Sequence, residues 1–341
     1  MNDAQQGAAQ GRETAIRTAL APVAGDRVEG VRLTETAVTL VVEVGGLNDG
    51  ARASLEQRIR AALADMELPP LRIAMTAERG PEKPKPRLIA VGSGKGGVGK
   101  STVSANLAVA MKRAGRRVGL VDADIYGPSQ PRLMQSEDKK PQAKDKQLIP
   151  VTGVLDIPML SMGHLATPDQ AIAWRGPMAG NALAQLIEAD WGDVTDLVID
   201  LPPGTGDVQL TMIQKFKPIG AVIVSTPQDL ALMDARRAIA FFDKAAVPTI
   251  GIVENMAGFA CPHCGEVSDP FGAGGAEAAA RELGRRFLGC IPLTMTLREE
   301  SDAGTPPAAG SGEISDMFAD LAGQVMAFAD SVDADAEAAK A

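Results

Sequence analysis

Cysteine is scarce in this sequence, and long apolar runs are missing from it. Only three cysteines occur in 341 residues, which argues against a disulfide framework and favours a metal or redox role for the pair in the segment CPHC, residues 261–264. No run of about 20 apolar residues occurs, so we predict no membrane-spanning helix and no membrane partner. The first residues lack the basic start and apolar stretch of a signal peptide, so we expect an unprocessed, cytoplasmic protein.

Positive charge is also in deficit. The formal net charge is −9 and the pI is about 4.9. Phosphate backbones are bound by basic surfaces, so this charge balance argues against a nucleic-acid partner. The length predicts about two domains, and 45% hydrophobic residues are enough for a large core.

A charged, proline-rich segment divides the chain. Residues 79–86, RGPEKPKP, contain three prolines and predict an extended linker. Residues 1–78 predict a small α+β domain, because a strand-like run at 38–44 precedes apolar residues at helical spacing. Residues 87–330 predict a second, larger domain, and the Ala- and acid-rich residues 331–341 predict a disordered tail.

In the larger domain, short apolar runs alternate with helical stretches. The runs occur at residues 118–121, 155–160, 197–199, 221–224 and 249–253. This alternation predicts an α/β fold with a mostly parallel sheet and helices on both faces. Ligands of such folds gather at the carboxyl ends of the strands.

A glycine-rich loop stands between the first of these strands and its helix. Residues 92–101, GSGKGGVGKS, follow a predicted strand at 87–91 and precede a predicted helix at 102–111. This arrangement directs backbone N–H groups and a helix N-terminus at one point, where a triphosphate such as ATP can bind. Lys100 would reach the β and γ phosphates and Ser101 would bind Mg²⁺. The predicted nucleotide contacts in the loop are Gly94, Lys95, Gly96, Gly97, Val98, Gly99, Lys100, Ser101 and Thr102.

The loop has a second lysine, Lys95. It comes too early in the loop to share the role of Lys100, so its ammonium should point out of its own site. We therefore predict that Lys95 reaches a nucleotide bound by a second subunit.

Four aspartates follow predicted strands and suit phosphoryl transfer. Asp200 suits the Mg²⁺ shell, Asp124 suits the attacking water, and Asp122 and Asp207 are candidate supports. A single acid at a strand end is more often a helix cap or a solvated turn. Four of them at these strand ends favour catalysis.

The two cysteines of the CPHC segment can bind one metal ion or one edge of a cluster. One chain supplies only two thiolates, whereas two chains related by a two-fold axis supply four, enough for a bridging [4Fe–4S] cluster. A zinc knuckle and a plain dithiol are the alternatives for Cys261 and Cys264. Cys290 lies in an apolar strand and is predicted to be a buried small hydrophobe, while His164, Trp174 and Arg175 are predicted to belong to packed loops.

Together these motifs resemble one family. The two-lysine loop, the DADIYGPS, WRGPM, STPQ and ENM segments and the CPHCG turn are similar to the Mrp/NBP35 (ApbC-type) iron–sulfur cluster carriers, which are P-loop ATPases of the deviant Walker A class. The resemblance covers about residues 86–310 and implies a homodimer with ATP at the interface. It also implies that Lys95 crosses to the partner's nucleotide and that Asn255 and the segment around Pro292 contact adenine. Residues 1–78 resemble the MIP18-like domain that is often fused to such carriers.

The sequence therefore predicts an ATP-hydrolysing homodimer that holds a [4Fe–4S] cluster between subunits and passes it to apo iron–sulfur proteins. Lys95, Asp124 and Asp200 are the predicted catalytic residues. The main alternative is a spatial-regulator ATPase of the partition or septum-site type, which needs a basic face or an amphipathic membrane helix. A reductase similar to nitrogenase iron protein is the third candidate, but its cysteines lie on separate segments.

Overall fold

The computed structural model describes residues 3–34, 36–76, 85–125, 127–144, 147–165, 177–204 and 206–338. The chain divides into two compact units, Met1–Lys83 and Pro84–Ala341, and this division falls in the proline-rich segment. No helix in the described ranges is long and apolar enough to cross a membrane.

The first unit combines helices with a small mixed sheet. Its described elements are α1 (Asp3–Ala24), β1 (Val28–Leu33), β2 (Val38–Glu43), α2 (Asp49–Ala62) and β3 (Leu71–Thr76). Strand β2 is the middle strand, antiparallel to β1 and parallel to β3. Alternate residues of β2 are buried and pack with apolar residues of both helices, which is the pattern of a sheet with one face covered. The likeness to a MIP18-like domain stays a prediction.

The second unit is built on one large sheet. Its strands are β4 (Arg87–Gly92), β5 (Val118–Asp122), β6 (Gln142–Lys144), β7 (Gln147–Ile149), β8 (Val151–Thr152), β9 (Pro158–Ser161), β10 (Asp196–Asp200), β11 (Gly220–Ser225), β12 (Thr249–Ala260), β13 (Val267–Ser268) and β14 (Phe287–Leu293). Its helices are α3 (Lys100–Arg113), α4 (Gln130–Leu133), α5 (Met162–Leu165), α6 (Pro177–Ile187), α7 (Asp207–Phe216), α8 (Asp229–Lys244), α9 (Gly275–Glu282), α10 (Met295–Asp302) and α11 (Glu313–Ala338).

The strand order places the glycine-rich loop at the centre of this sheet. The order is β13-β12-β11-β4-β10-β5-β9-β8, with β14 also paired to β12, while β6 and β7 form a separate hairpin. All pairings in the large sheet are parallel except those of β8 and β13. The predicted α/β fold with a mostly parallel, helix-covered sheet is therefore confirmed.

Helices cover both faces of the sheet, which explains why the strands are apolar throughout. In β4, Ile89 and Val91 join the core beneath α3 and α11, whereas Leu88 and Ala90 join the core beneath α6, α7 and α8. A strand buried on both faces shows a continuous apolar run instead of alternation. The carboxyl ends of β4, β5, β10 and β12 stay open for the site.

Two predicted segments differ from the structure. The predicted run 155–160 begins within a short 3-10 turn, Val154–Asp156, in which Leu155 and Asp156 have positive φ, and the strand starts only at Pro158. The predicted disorder of residues 331–341 is wrong up to Ala338, because α11 continues to that residue. The guanidinium of Arg87 contacts this part of α11, reaching Asp330 at 3.2 Å and Asp333 at 2.7 Å.

Candidate functional site

The glycine-rich loop joins β4 to α3, and its backbone conformation requires glycine. Gly97 and Gly99 have φ values of 79° and 78°, in the left-handed region that side chains rarely adopt. A Cβ atom on Gly94 would overlap the backbone of Asp234, so this position also excludes a side chain. The loop thus ends at the N-terminus of α3, where free N–H groups and the helix dipole favour an anion.

Lys100, the first residue of α3, is buried and forms an ion pair with Asp200 at the end of β10. Ser104, one turn along α3, donates to the same carboxylate oxygen at 3.0 Å. The structure therefore brings together the lysine and the aspartate that the sequence assigned to the phosphates and to Mg²⁺. Ser101 lies beside Lys100 at the start of the helix, partly exposed at the same sheet edge.

Gln130 is a member of this cluster that the sequence analysis missed. Its side-chain amide donates to Asp200 Oδ2 and to the Ser101 carbonyl, both at 2.9 Å, and its backbone N–H donates to Asp122 Oδ2 at 3.1 Å. Its own amide oxygen is buried without a partner among the described residues. One residue thus holds two carboxylates and the first turn of α3 in register. The signal in the sequence was a polar residue directly after the DADIYGPS segment.

Asp122 is fully buried at the end of β5. It accepts hydrogen bonds from the Asp124 N–H at 3.1 Å and from the Ser161 hydroxyl at 2.9 Å. Burial and the neighbouring charge of Asp200 raise the pKa of Asp122 to about 7, against these hydrogen bonds, which lower it. Asp122 thus lies in the acidic cluster together with Ser161, a residue that the sequence analysis missed, and its supporting role in catalysis remains a prediction.

Asp124 and Asp207 lie in the segments that follow β5 and β10. Asp124 is half-buried and accepts from the Gly127 N–H at 3.2 Å, the turn contact expected of an acid at a strand end. Asp207 begins α7, and its side chain lies outside the described residues. The catalytic role of Asp124 and the supporting role of Asp207 remain predictions.

Lys95 and Lys100 point to different partners. The Lys95 ammonium donates to Gln228 Oε1, at the start of α8, at 3.4 Å. Lys100 instead contacts Asp200 beneath the loop. The two lysines therefore serve different environments, and the contact of Lys95 with a partner subunit stays a prediction.

Asn255, near the middle of β12, contacts the loop itself. Its amide donates to the Val98 carbonyl at 2.8 Å and fills the space where a side chain on Gly99 would lie. Ile291 of β14 pairs with Asn255, so Pro292 is the next residue along the neighbouring strand. These positions place both residues beside the loop, while their contact with adenine remains a prediction.

The Cys turn, residues 261–265, is the tip of the β12–β13 hairpin. Cys261 donates its N–H to the Glu266 carbonyl at 2.9 Å and accepts at its own carbonyl from Gly265 at 2.8 Å. The N–H groups of His263 and Cys264, together with the Cys264 side chain, lower the pKa of the Cys261 thiol. These hydrogen bonds favour the thiolate form of Cys261, in a turn at the protein surface.

One chain supplies only half of a metal site there. In the described residues, no three His, Cys, Asp or Glu side chains are grouped to hold a metal ion. A tetrahedral zinc or an Fe–S cluster needs four ligands, so the two thiols of the Cys turn are an incomplete set.

Four further residues received predictions from the sequence. Cys290 is exposed, so its prediction as a buried hydrophobe is wrong; it lies on β14, where Leu288 and Ile291 turn inward and Cys290 turns out towards Glu254. Desolvation and the Glu254 charge raise the pKa of its thiol. His164, predicted to lie in a packed loop, is buried but belongs to the short helix α5, and it accepts from the Ser161 N–H at 3.2 Å. The predictions for Trp174 and Arg175 lie outside the described residues.

The chain is similar to known proteins in sequence and in structure. The chain is 49% identical over 243 residues to "Iron-sulfur protein required for NADH dehydrogenase, mitochondrial" of Arabidopsis thaliana, covering 70% of this chain and 77% of that protein. It is 48% identical over 241 residues to "Iron-sulfur cluster carrier protein" of Haemophilus influenzae, covering 70% of this chain and 65% of that protein. Among solved structures, the nucleotide-binding protein of Archaeoglobus fulgidus in complex with ADP is 41% identical, with a TM-score of 0.59 over 66% of this chain and 89% of that one.

The family description "ParA: NUBPL iron-transfer P-loop NTPase" matches residues 85–326, nearly the whole second unit. This range includes the glycine-rich loop, the acidic cluster and the Cys turn. The chain therefore belongs to the NUBPL-type iron-transfer P-loop NTPases.

Proposed function

We propose that this protein is an ATP-hydrolysing iron–sulfur cluster carrier that works as a homodimer. Two chains would hold one [4Fe–4S] cluster, the cargo, between their Cys turns and pass it to apo iron–sulfur proteins. The relatives' names support the cargo, and the family assignment supports nucleotide use. The spatial-regulator alternative has no observation in its favour within the described residues.

The Cys turn carries this proposal. Cys264 is exposed and Cys261 is half-buried, and hydrogen bonds to Cys261 favour the thiolate that binds iron. Two ligands cannot complete a metal site, whereas a two-fold axis through the turn would supply four thiolates for one cluster. An exposed site at a subunit boundary also leaves the cargo accessible to an acceptor protein.

The loop and the acidic cluster would do the nucleotide chemistry. The loop N–H groups and Lys100 would hold the phosphates, which would draw the Lys100 ammonium away from Asp200. Ser101 and Asp200 offer the oxygen ligands that Mg²⁺ prefers, and the buried, unpartnered amide oxygen of Gln130 suits a water of the metal's shell. Mg²⁺ supplies neutralisation of the charge on the phosphates. Asp124 would orient the attacking water, and the partner's Lys95 would stabilise the transferring phosphoryl group.

The first unit would dock clients or partner proteins. None of the loop, acidic-cluster or Cys-turn residues lies in it, and it has its own hydrophobic core. We place the protein in the cytoplasm, in line with its low cysteine content and the absence of a membrane-spanning helix among its described residues.

Anaerobic reconstitution with iron and sulfide tests the proposal. We expect a visible absorption spectrum typical of a [4Fe–4S] cluster and about four iron ions per dimer, with transfer to an apo-acceptor. One tightly bound zinc per monomer, unaffected by oxygen, would instead make the Cys turn a structural knuckle and refute the carrier function.

A further inference from the structure

Strand β12 carries both the loop contact and the Cys turn. Asn255 lies on β12 and Cys261 directly follows the last residue of that strand, so the two are six residues apart, at most about 20 Å along the chain. The amide of Asn255 donates to the Val98 carbonyl at 2.8 Å, and Asn255 is buried. The methyl group of Met256 also lies near Gly99: a Cβ atom added to Gly99 would be 3.7 Å from it. Any shift of the loop backbone at residues 98–99 therefore meets two consecutive residues of β12.

The strand is firmly held just before these residues. Both carboxylate oxygens of the buried Glu254 accept N–H groups at the start of α9, from Gly274 at 3.1 Å and from Ala276 at 2.7 Å. Glu254 also pairs with Ser225 of β11 and with Cys290 of β14. The strand is fixed at Glu254, because separating its carboxylate from the N–H groups of α9 would leave buried polar groups unpaired.

Beyond Asn255 the backbone of β12 is irregular. Met256 has φ of 60° and Gly258 has φ of 72°, and the pairing with β14 shifts register between Asn255 and Phe259. A methionine in the left-handed region is strained and persists only when its surroundings hold it there. The irregular segment then enters the regular β12–β13 pairing at Phe259, two residues before Cys261. A bend of this kind between a fixed strand and a hairpin acts as a hinge.

We propose that Asn255 is a positioning residue that couples the phosphate loop to the Cys turn. Nucleotide binding sets the backbone of residues 98–99, the Asn255 amide follows the Val98 carbonyl, and the bend at Met256 converts this shift into a reorientation of the hairpin that carries Cys261. The importance of this coupling for cargo release rests on the proposed function, whereas the coupling itself does not need a cluster. It passes along β12 and is separate from the segments of Asp124 and Asp207.

Thiol reactivity in the metal-free protein tests the coupling directly. In a Cys290→Ser background, the alkylation rates of Cys261 and Cys264 are measured by peptide mass spectrometry with and without Mg·ADP at saturation. We expect Mg·ADP to change these rates in the parent protein. In the Asn255→Ala variant, we expect Mg·ADP to leave the alkylation rates unchanged. A separate titration verifies that this variant is saturated with Mg·ADP in the experiment.

A second buried amide provides the matched control. Asn106 donates to the Thr102 carbonyl one turn earlier in α3 at 2.9 Å and accepts from the Ala308 N–H at 2.9 Å, and neither partner belongs to β12. Asn106→Ala should lose comparable stability and retain the response to Mg·ADP. If Asn255→Ala responds like the parent, or if Asn106→Ala loses the response as well, the proposal is wrong.

Met256→Gly tests the hinge without touching the loop hydrogen bond. Glycine adopts positive φ freely, so the segment loses its stiffness while the Asn255 contact with Val98 stays. We expect the Met256→Gly variant to show a smaller effect of Mg·ADP on the alkylation rates of Cys261 and Cys264, at unchanged ADP affinity. An undiminished effect would overturn the hinge. If the parent protein shows the response but takes up no cluster, the coupling stands and the carrier function fails.

Discussion

The phosphate loop and the Cys turn are built in opposite ways. The loop site is largely complete within one chain, since Lys100, Asp122, Asp200 and Gln130 are buried and joined by hydrogen bonds. The Cys turn is exposed, with two thiols on a hairpin tip. Preorganised, buried dipoles suit phosphate chemistry, whereas an exposed and incomplete ligand set suits a cargo that must enter and leave. Under the proposed function, one chain would suffice to bind nucleotide, whereas two would be needed to hold a cluster.

The largest expected effect is the loss of the cluster, without loss of ATPase activity, when a cysteine of the Cys turn is replaced. Cys261→Ser or Cys264→Ser removes two of the four thiolates per dimer, so the reconstituted protein should contain almost no cluster. ATPase activity should persist, because the phosphate loop lies at other strand ends. Cys290→Ser is the matched control and should keep the iron content of the parent. A cluster retained in either variant of the Cys turn would show that the ligands lie elsewhere.

The two lysines test whether the loop site is complete in one chain. Lys100→Ala should abolish ATP binding, because its ammonium is the cation buried beneath the loop. Lys95→Ala should retain most of the binding affinity and lose hydrolysis by about 100-fold or more, as expected when one transition-state donor is removed. Titration with ATP and steady-state kinetics distinguish the two. Equal loss of binding in both variants would contradict an intersubunit role for Lys95.

A truncation asks whether either site needs the first unit. A protein that starts near Lys85 should hydrolyse ATP and bind a cluster as the full chain does, since both sites lie in the second unit. Transfer to an apo-acceptor should slow if the first unit docks clients. Loss of cluster binding on removal of residues 1–80, with the circular dichroism of a folded protein, would contradict this division of roles.

The smallest expected effect compares the thiols themselves. The pKa of Cys261 is lowered and that of Cys290 is raised, so at pH 7.5 a larger fraction of Cys261 is thiolate. Cys261 should therefore be alkylated faster in the metal-free protein, and the difference should shrink as the pH rises and both thiols ionise. Peptide mass spectrometry over a pH series measures the two rates. Faster alkylation of Cys290 would contradict the assigned hydrogen bonds.

Local sequence determined the parts of this protein that depend on neighbours in the chain. The glycine-rich loop, its flanking strand and helix and the pair of cysteines on a turn all follow from short segments with strict conformational needs. The alternation of apolar runs was likewise enough for the parallel, helix-covered sheet.

Only the tertiary structure decided which distant groups meet. Gln130 reaches Asp200 across 70 residues of sequence, a contact that no local pattern encodes. Cys290 is exposed because of its place on β14, although its neighbours in the chain are apolar. The acidic C-terminal segment continues a helix whose apolar face packs on the core, and Arg87, some 240 residues earlier, pairs with its Asp330 and Asp333. In each case the physical reason is the same: charge and burial are settled by the partners that the fold brings within a few ångströms, and composition alone does not specify them.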